Sequence, residues 1–318
     1  MVTQMVCLGG HIEGGKMRII ITGDWHLTNK SPRCRVDNYV EAQAKKIEFV
    51  TQVFHKEECD IALQPGDLCD NWKKPDSFKT FWMGKLNGLG LNLYAVTGQH
   101  DMRYHTADMS NTPFGVLKEA VGFKLLGAND KVLNKVSLYG ASWGEEIPKV
   151  KDKSAFNILV IHKMIVVEKL WAEQENYEVA GTFLRRNKFD LIVSGDNHNS
   201  FHHTKDNRWL INCGSLMRSE IDQKDHKPCV WIFDTGKREA EQVFIPIEPF
   251  DKVVSTSIAE QEKKRSERID ALAESLKKRT NIKGLDFIKR VHERVESLKK
   301  KKEIDKRTEN FINRIMET

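Results

Sequence analysis

Between residues 23 and 198 of this 318-residue chain, carboxylate, imidazole and amide side chains recur in five short clusters. They are Gly23-Asp24-Trp25-His26, Gly66-Asp67-Leu68-Cys69-Asp70, Gly98-Gln99-His100-Asp101, the single His162, and Gly195-Asp196-Asn197-His198. Residues two apart on an extended chain point to the same side, so Asp24 and His26 can grip one cation together. Asp67 offers two oxygens and could bridge two cations. Taken singly, each cluster has an ordinary explanation. Gly-Asp after a strand serves turns and helix caps, His162 fits a satisfied core histidine, and Gly-Asp-Asn is a good turn sequence. Independent turns give no reason for these residue types to recur at five successive strand ends. The set reads as a metal site.

Among the chemistries that a pair of bound cations can support is phosphoester hydrolysis. A phosphodiester resists attack because its anionic oxygens repel a nucleophile and its leaving alkoxide is poor. Two cations about 3.5–4 Å apart neutralise the phosphate and lower the pKa of a bound water. A histidine within reach can then give a proton to the departing oxygen. This logic fits any phosphoester and does not by itself specify DNA.

The elements that position these residues follow from hydropathy pattern. Short apolar, β-branched runs predict strands at Met17–Thr22, Asp60–Gln64, Leu91–Val96, Ile158–Ile161, Asp190–Val193, Trp209–Asn212, Val230–Phe233 and Gln242–Ile247. Amphipathic stretches predict helices at Asn38–His55, Ser77–Leu86, Pro113–Ala120 and Trp171–Arg186. Alternation of strand and helix gives an α/β domain with a large, partly mixed sheet system, and each cluster sits where a strand ends. Strand ends of such sheets are where distant segments converge on a ligand.

Three segments are expected: a 1–16 extension ahead of Met17, a catalytic domain over 17–250, and a basic helical tail over 251–318. The tail holds 19 Lys and Arg against 13 Asp and Glu; chain totals of 51 and 45 leave 32 of each sign for residues 1–250. All of the +6 formal charge therefore lies in the tail. Ile269, Leu272 and Leu276 keep helical spacing, and Ile288, Val291, Val295 and Leu298 form a narrow apolar seam that needs a partner surface. Interspersed acids argue for protein docking over simple DNA binding. No apolar run approaches the ~20 residues a membrane helix requires. Six scattered cysteines without a Cys-x-x-Cys pair fit a reducing, cytoplasmic setting.

In order and spacing, residues 17–245 resemble the calcineurin-like metallophosphoesterases, whose signature runs Asp-x-His, Gly-Asp-x-x-Asp, Gly-Asn-His-Asp, a lone His, then Gly-His-x-His. Within that family the chain looks most like the SbcD-type nuclease subunit, particularly phage versions. Arg35-Val36-Asp37-Asn38-Tyr39, Cys213-Gly214-Ser215-Leu216-Met217-Arg218-Ser219 and Ile245-Pro246-Ile247 carry this narrower match. The resemblance implies a four-layer αββα sandwich with a C-terminal helical extension. It implies that Asp24, His26 and His198 hold one divalent metal, that Gln99, His162 and Asp196 hold the other, and that Asp67 bridges. His100 would protonate the leaving oxygen, Asp101 would orient His100, and Asp70 would act from behind the ligands.

Two departures bear on the metal. Gln99 stands where the family has Asn, and Asp196 where it has His. Together they move the second site toward hard oxygen ligands, which suits manganese, or magnesium, better than zinc. A second reading is a site that binds weakly and fills only with substrate. By resemblance, the partners are DNA and an SbcC-like coiled-coil ATPase engaged by the tail, with Asn38–His55 a candidate homodimer helix. The alternatives are a small-molecule phosphodiesterase or protein phosphatase on the same scaffold, or a scaffold that no longer holds two metals.

Overall fold

The computed structural model describes residues 16–128, 131–170, 174–258 and 295–298. Two compact units divide the chain, Met1–Ser255 and Thr256–Thr318. Most of the expected tail, and residues 1–15 of the expected extension, lie outside the described residues. In the second unit Val295–Ser297 and Leu298 form a helical turn in which Val295 and Leu298 are buried.

The first unit opens with β1 (Arg18–Ile21), α1 (Tyr39–Lys56), β2 (Ile61–Gln64), α2 (Asp76–Leu86), β3 (Leu93–Ala95), α3 (Pro113–Val121) and β4 (Lys124–Leu125). It continues with β5 (Lys131–Leu133), β6 (Val136–Ala141), β7 (Phe156–His162), β8 (Ile165–Val166), β9 (Glu178–Val179), α4 (Ala180–Arg186) and β10 (Leu191–Gly195). It closes with β11 (Phe201–Lys205), β12 (Arg208–Asn212), β13 (Cys229–Asp234), β14 (Glu239–Phe244) and the short α5 (Phe250–Val253).

Two six-stranded sheets result, in the orders β14-β13-β1-β2-β3-β4 and β11-β12-β10-β7-β6-β5. Strands β1 to β4 run parallel, as do β6, β7, β10 and β12, while β5, β11, β13 and β14 join antiparallel. Side-chain alternation sorts the residues into layers. In β1, Ile19 and Ile21 enter a core shared with Ile158 and Val160 of β7 and Leu191 and Val193 of β10, so the two sheets pack face to face. Ile20 points the other way, into a core with Ile47 and Val50 of α1, Phe78 and Trp82 of α2, and Phe114 and Leu117 of α3. On the far side of the second sheet, Leu159 and Ile161 of β7 and Ile192 of β10 meet Phe183 and Leu184 of α4. The architecture is the four-layer αββα sandwich, and strands buried on both faces read as unbroken apolar runs.

Local chemistry fixes the helix ends. The Asn38 side chain accepts from Glu41 N–H at the start of α1, and Thr112 from Gly115 N–H at the start of α3, where Pro113 occupies the first turn. One expected helix is much shorter. Instead of starting near Trp171, α4 begins at Ala180, because Asn176 takes a left-handed backbone (φ 56°) and Glu178–Val179 pairs with β8. Strands β5, β6 and β11 were not expected from the pattern. No helix among the described residues is long and apolar enough to cross a membrane.

A candidate metal centre at the strand ends

The loops leaving β1, β2, β3, β7 and β10 meet at one point. Ligand atoms of Asp24, His26 and His198 lie within 4.8 Å of one another, as do those of His26, Asp67 and His100, and those of Asp24, Asp67 and His162. Asp67 is the shared member. Its Oδ2 stands 3.7 Å from His26 Nε2, 3.5 Å from His162 Nε2 and 3.9 Å from His100 Nε2. On one side His26 Nε2 and His198 Nε2 are 3.0 Å apart, and His198 Nε2 is 3.8 Å from Asp24 Oδ2. On the other, Asp196 Oδ1 lies 3.9 Å from His162 Nε2 and accepts a hydrogen bond from Gln99 Nε2 at 3.1 Å. All seven residues expected to ligate metal are thus in one cluster, and the two unusual ones face each other.

Backbone conformation is unusual at these positions. His26 (φ 46°), Asp67 (φ 49°) and Asp196 (φ 75°) all adopt the left-handed region, which is sparsely populated by side chains other than glycine. Such strain persists where surrounding structure enforces it, and it concentrates at functional sites. Two glycines make the close approach possible. A Cβ on Gly98 would lie 2.0 Å from Asp67 Oδ1, and one on Gly66 (φ 103°) would lie 2.4 Å from His162 Nδ1.

Several residues hold the loops without facing the cluster. Gln43 of α1 donates to the carbonyls of Trp25 and His26 and accepts from Thr28 N–H, locking the Asp24–His26 turn. Asn212 of β12 donates to the Asn197 carbonyl, and Asn197 to that of Ile165. The sequence reading gave none of these a holding role, although it named Asn197 within a cluster. A buried Gln at the interior position 43 of an amphipathic helix was the available signal.

Asp101 differs from expectation. It does not orient His100; its carboxylate accepts from the backbone N–H groups of Leu68, Cys69 and Gly98 at 3.2, 2.8 and 3.0 Å. Fully buried, it ties the Asp67 loop to the Gln99 loop. The His100 ring is instead oriented by Nδ1–H donating to the Asp70 carbonyl oxygen at 3.0 Å, which leaves Nε2 toward Asp67. The Asp70 side chain pairs with Lys74.

The residues fit divalent cations. Asp24 Oδ1, Gln99 Oε1 and His162 Nε2 are buried without a hydrogen-bond partner among the described residues. His162 Nδ1 is engaged by the Pro65 carbonyl at 2.7 Å, so its remaining lone pair points at carboxylates. Buried acceptors facing each other are unfavourable unless positive charge lies between them. The electrostatics agree. Burial holds Asp24 well above the usual carboxylate range, against the pull of His162. For His162 burial opposes charge, but Asp67, Asp24 and Asp196 draw it up to about 10. Burial pushes His26 down to about 3 and also lowers His198, leaving both neutral lone-pair donors near neutral pH. Beside the cluster opens a cleft of about 430 Å³ lined by His26, His100, His198, Lys30, Lys74, Tyr39, Ser215 and Ser219 among others.

A two-sheet sandwich with histidines and carboxylates gathered at its strand ends defines a metal-dependent hydrolase. The calcineurin-like phosphoesterase pattern matches residues 17–200, and the chain belongs to that family. It is accordingly a metal-dependent enzyme acting on phosphoester bonds. Among solved structures, a novel archaeal phosphodiesterase is 14% identical, with a TM-score of 0.40, over 72% of this chain and 99% of its own. Another solved chain is 9% identical, with a TM-score of 0.45, over 73% of this chain and 100% of its own. No curated protein matches the sequence.

Proposed function

We propose that the protein is a two-metal phosphodiesterase that cuts DNA, an SbcD-like nuclease working with an SbcC-like ATPase in recombination, repair or replication. The observation that carries the two-metal reading is Asp67, whose carboxylate is flanked by His26 and His198 on one side and by His162, Asp196 and Gln99 on the other. Asp24, His26 and His198 would hold one cation, Gln99, His162 and Asp196 the second, with Asp67 between. Bound there, two divalent cations would neutralise the phosphate and acidify a water. Manganese or magnesium suits the oxygen-rich second set.

The protein's own groups supply the rest. His100 Nε2, on the open side of the cluster with Nδ1 fixed by the Asp70 carbonyl, is placed to deliver a proton to the leaving oxygen. Lys30 lines the cleft and offers charge to a phosphate chain, while Lys74 beside it is paired with Asp70. Two stretches of the narrower resemblance also pack together beside the cleft. Arg35 is held by both oxygens of Asp37 and donates to the Arg218 carbonyl, and the Tyr39 hydroxyl lies 2.7 Å from Ser219 Oγ. These are two of the stretches on which the resemblance to the nuclease subunit rests. The docking of a coiled-coil ATPase would fall to residues 251–318.

An end-labelled duplex with manganese tests this reading, comparing wild type with His100→Ala. Cleavage by wild type, reduced about 100- to 10,000-fold in the variant, is expected. Hydrolysis of a small chromogenic diester or cyclic nucleotide with no cleavage of DNA would assign the site to a small substrate instead.

A further inference from the structure

Aromatic side chains from three separate segments gather next to the candidate centre, outside the ligand set. Trp72 follows Asp70, whose carbonyl holds the His100 ring. Tyr104 and His105 follow the loop of Gln99, His100 and Asp101. Trp143 lies in the turn just after β6, where its N–H donates to the Thr97 carbonyl at 2.9 Å and Thr97 N–H in turn donates to the Ser142 hydroxyl. The metal-side loop after β3 is therefore bordered by all three segments.

The rings form two pairs. Trp72 and Tyr104 have centroids 5.2 Å apart, and His105 and Trp143 are 4.8 Å apart at 37°. Arg103 lies over both rings of the first pair, 5.6 Å from Trp72 and 5.3 Å from Tyr104. Tyr104 (φ 50°) and His105 (φ 57°) are consecutive residues in the left-handed region. This double kink sends one ring to each tryptophan. Neither residue is small, and the conformation is one that such side chains rarely adopt. The rings are also not buried in return: Tyr104 is 71% exposed and Trp143 36%, while Arg103 and His105 are exposed too. Tyr104 and His105 themselves gain nothing from core packing, which in this loop falls to Met102 and Met109.

We propose that Trp72, Tyr104, His105 and Trp143 form a base-stacking subsite that holds unpaired nucleobases beside the scissile phosphate. The proposal rests on the nuclease reading and adds a specificity determinant to it. Every base has a π-face, and stacking on aromatic and guanidinium planes is how sequence-tolerant proteins hold single strands. A cation over the rings suits a polyanion, which a purely apolar docking patch would not. The cleft beside the cluster offers Lys30 to the backbone and is lined by none of the four rings. Phosphate and base would thus be held at separate places.

The test uses two single-stranded oligonucleotides, one ordinary and one with abasic residues flanking the cleaved phosphate, in manganese. The reading is the ratio of kcat/KM between them within each protein. Wild type is expected to favour the ordinary strand roughly 5- to 150-fold, the worth of one stacked base. Tyr104→Ala and, independently, Trp143→Ala should bring that ratio toward one, and Tyr104→Phe should keep it. A wild-type ratio of one, or variants that retain the wild-type ratio, would overturn the subsite while leaving the nuclease intact. Failure of wild type to cut either strand would also overturn the subsite, and failure to cut duplex DNA as well, with a small diester still hydrolysed, would overturn both.

Discussion

At Gly98 the site has no room for one extra carbon. A Cβ there would stand 2.0 Å from Asp67 Oδ1, and Asp67 itself is already held in a left-handed backbone conformation. Gly98→Ala is therefore expected to displace the shared carboxylate rather than shift a flexible side chain. Misplacement of about 1 Å costs about 100-fold in rate, and steady-state hydrolysis of a small diester measures it. Retention of wild-type activity would mean that Asp67 is not held as described. The five clusters were legible in the sequence because their residue types recur at successive strand ends, whereas the choice of seven ligand candidates came from the family resemblance. What Asp101 does was not legible. Its position after His100 suggested a partner for that ring, whereas an aspartate three residues beyond Gly98 closes a tight turn and collects backbone N–H groups. Sequence adjacency carried no information about which atoms point where. The aromatic rim escaped for a related reason, because only the fold brings residues 72, 104 and 143 to one loop.

Among the elements, α1 and α2 couple the outer layer to the site. Trp82 of α2 is fully buried and donates from Nε1 to the Thr28 carbonyl at 3.0 Å, directly beyond the Asp24–His26 turn. Trp82→Ala should cost about 3–5 kcal/mol, read by urea denaturation, and should loosen that turn. On α1, Lys46 donates to the Leu216 carbonyl, and burial with Arg218 and Arg35 nearby pushes its pKa down to about 7. The unfolded chain keeps this proton to about 10.5, so between about 7 and 10.5 it binds more protons than the folded chain, and stability rises with pH there. Below about 7 the charged ammonium is buried at full cost. Lys46→Met should therefore raise the melting temperature by roughly 2–4 °C at pH 6 and by less at pH 9.5; a larger gain at pH 9.5 would contradict the assignment. The parallel strands and these helices were readable because their apolar runs are long or regular. Strand β6 was not, since Val136–Ala141 includes Ser137, Gly140 and Ala141 and lacks a β-branched run. Strand β11 hid in polar residues, although Asp206 and Asn207, both left-handed, form the two-residue turn that makes it a hairpin with β12.

For the whole molecule, every candidate ligand falls between residues 24 and 198, inside the unit that ends at Ser255. A chain ending at Ser255 should keep manganese-dependent hydrolysis of a small diester at the same order of magnitude; its loss would place part of the active machinery in Thr256–Thr318. The charge asymmetry and apolar seam of that second segment were visible in the sequence, but they state a need for a partner without naming one. The architecture makes a stronger commitment. Two sheets packed face to face bring five strand ends to one point, and three buried polar atoms there have no hydrogen-bond partner among the described residues. Crystals grown with manganese and measured at its absorption edge test this directly. Two anomalous peaks about 3.5–4 Å apart, one on each side of Asp67 and both absent from Asp67→Ala, are the predicted result. A single peak, or none, in the wild-type protein would contradict it.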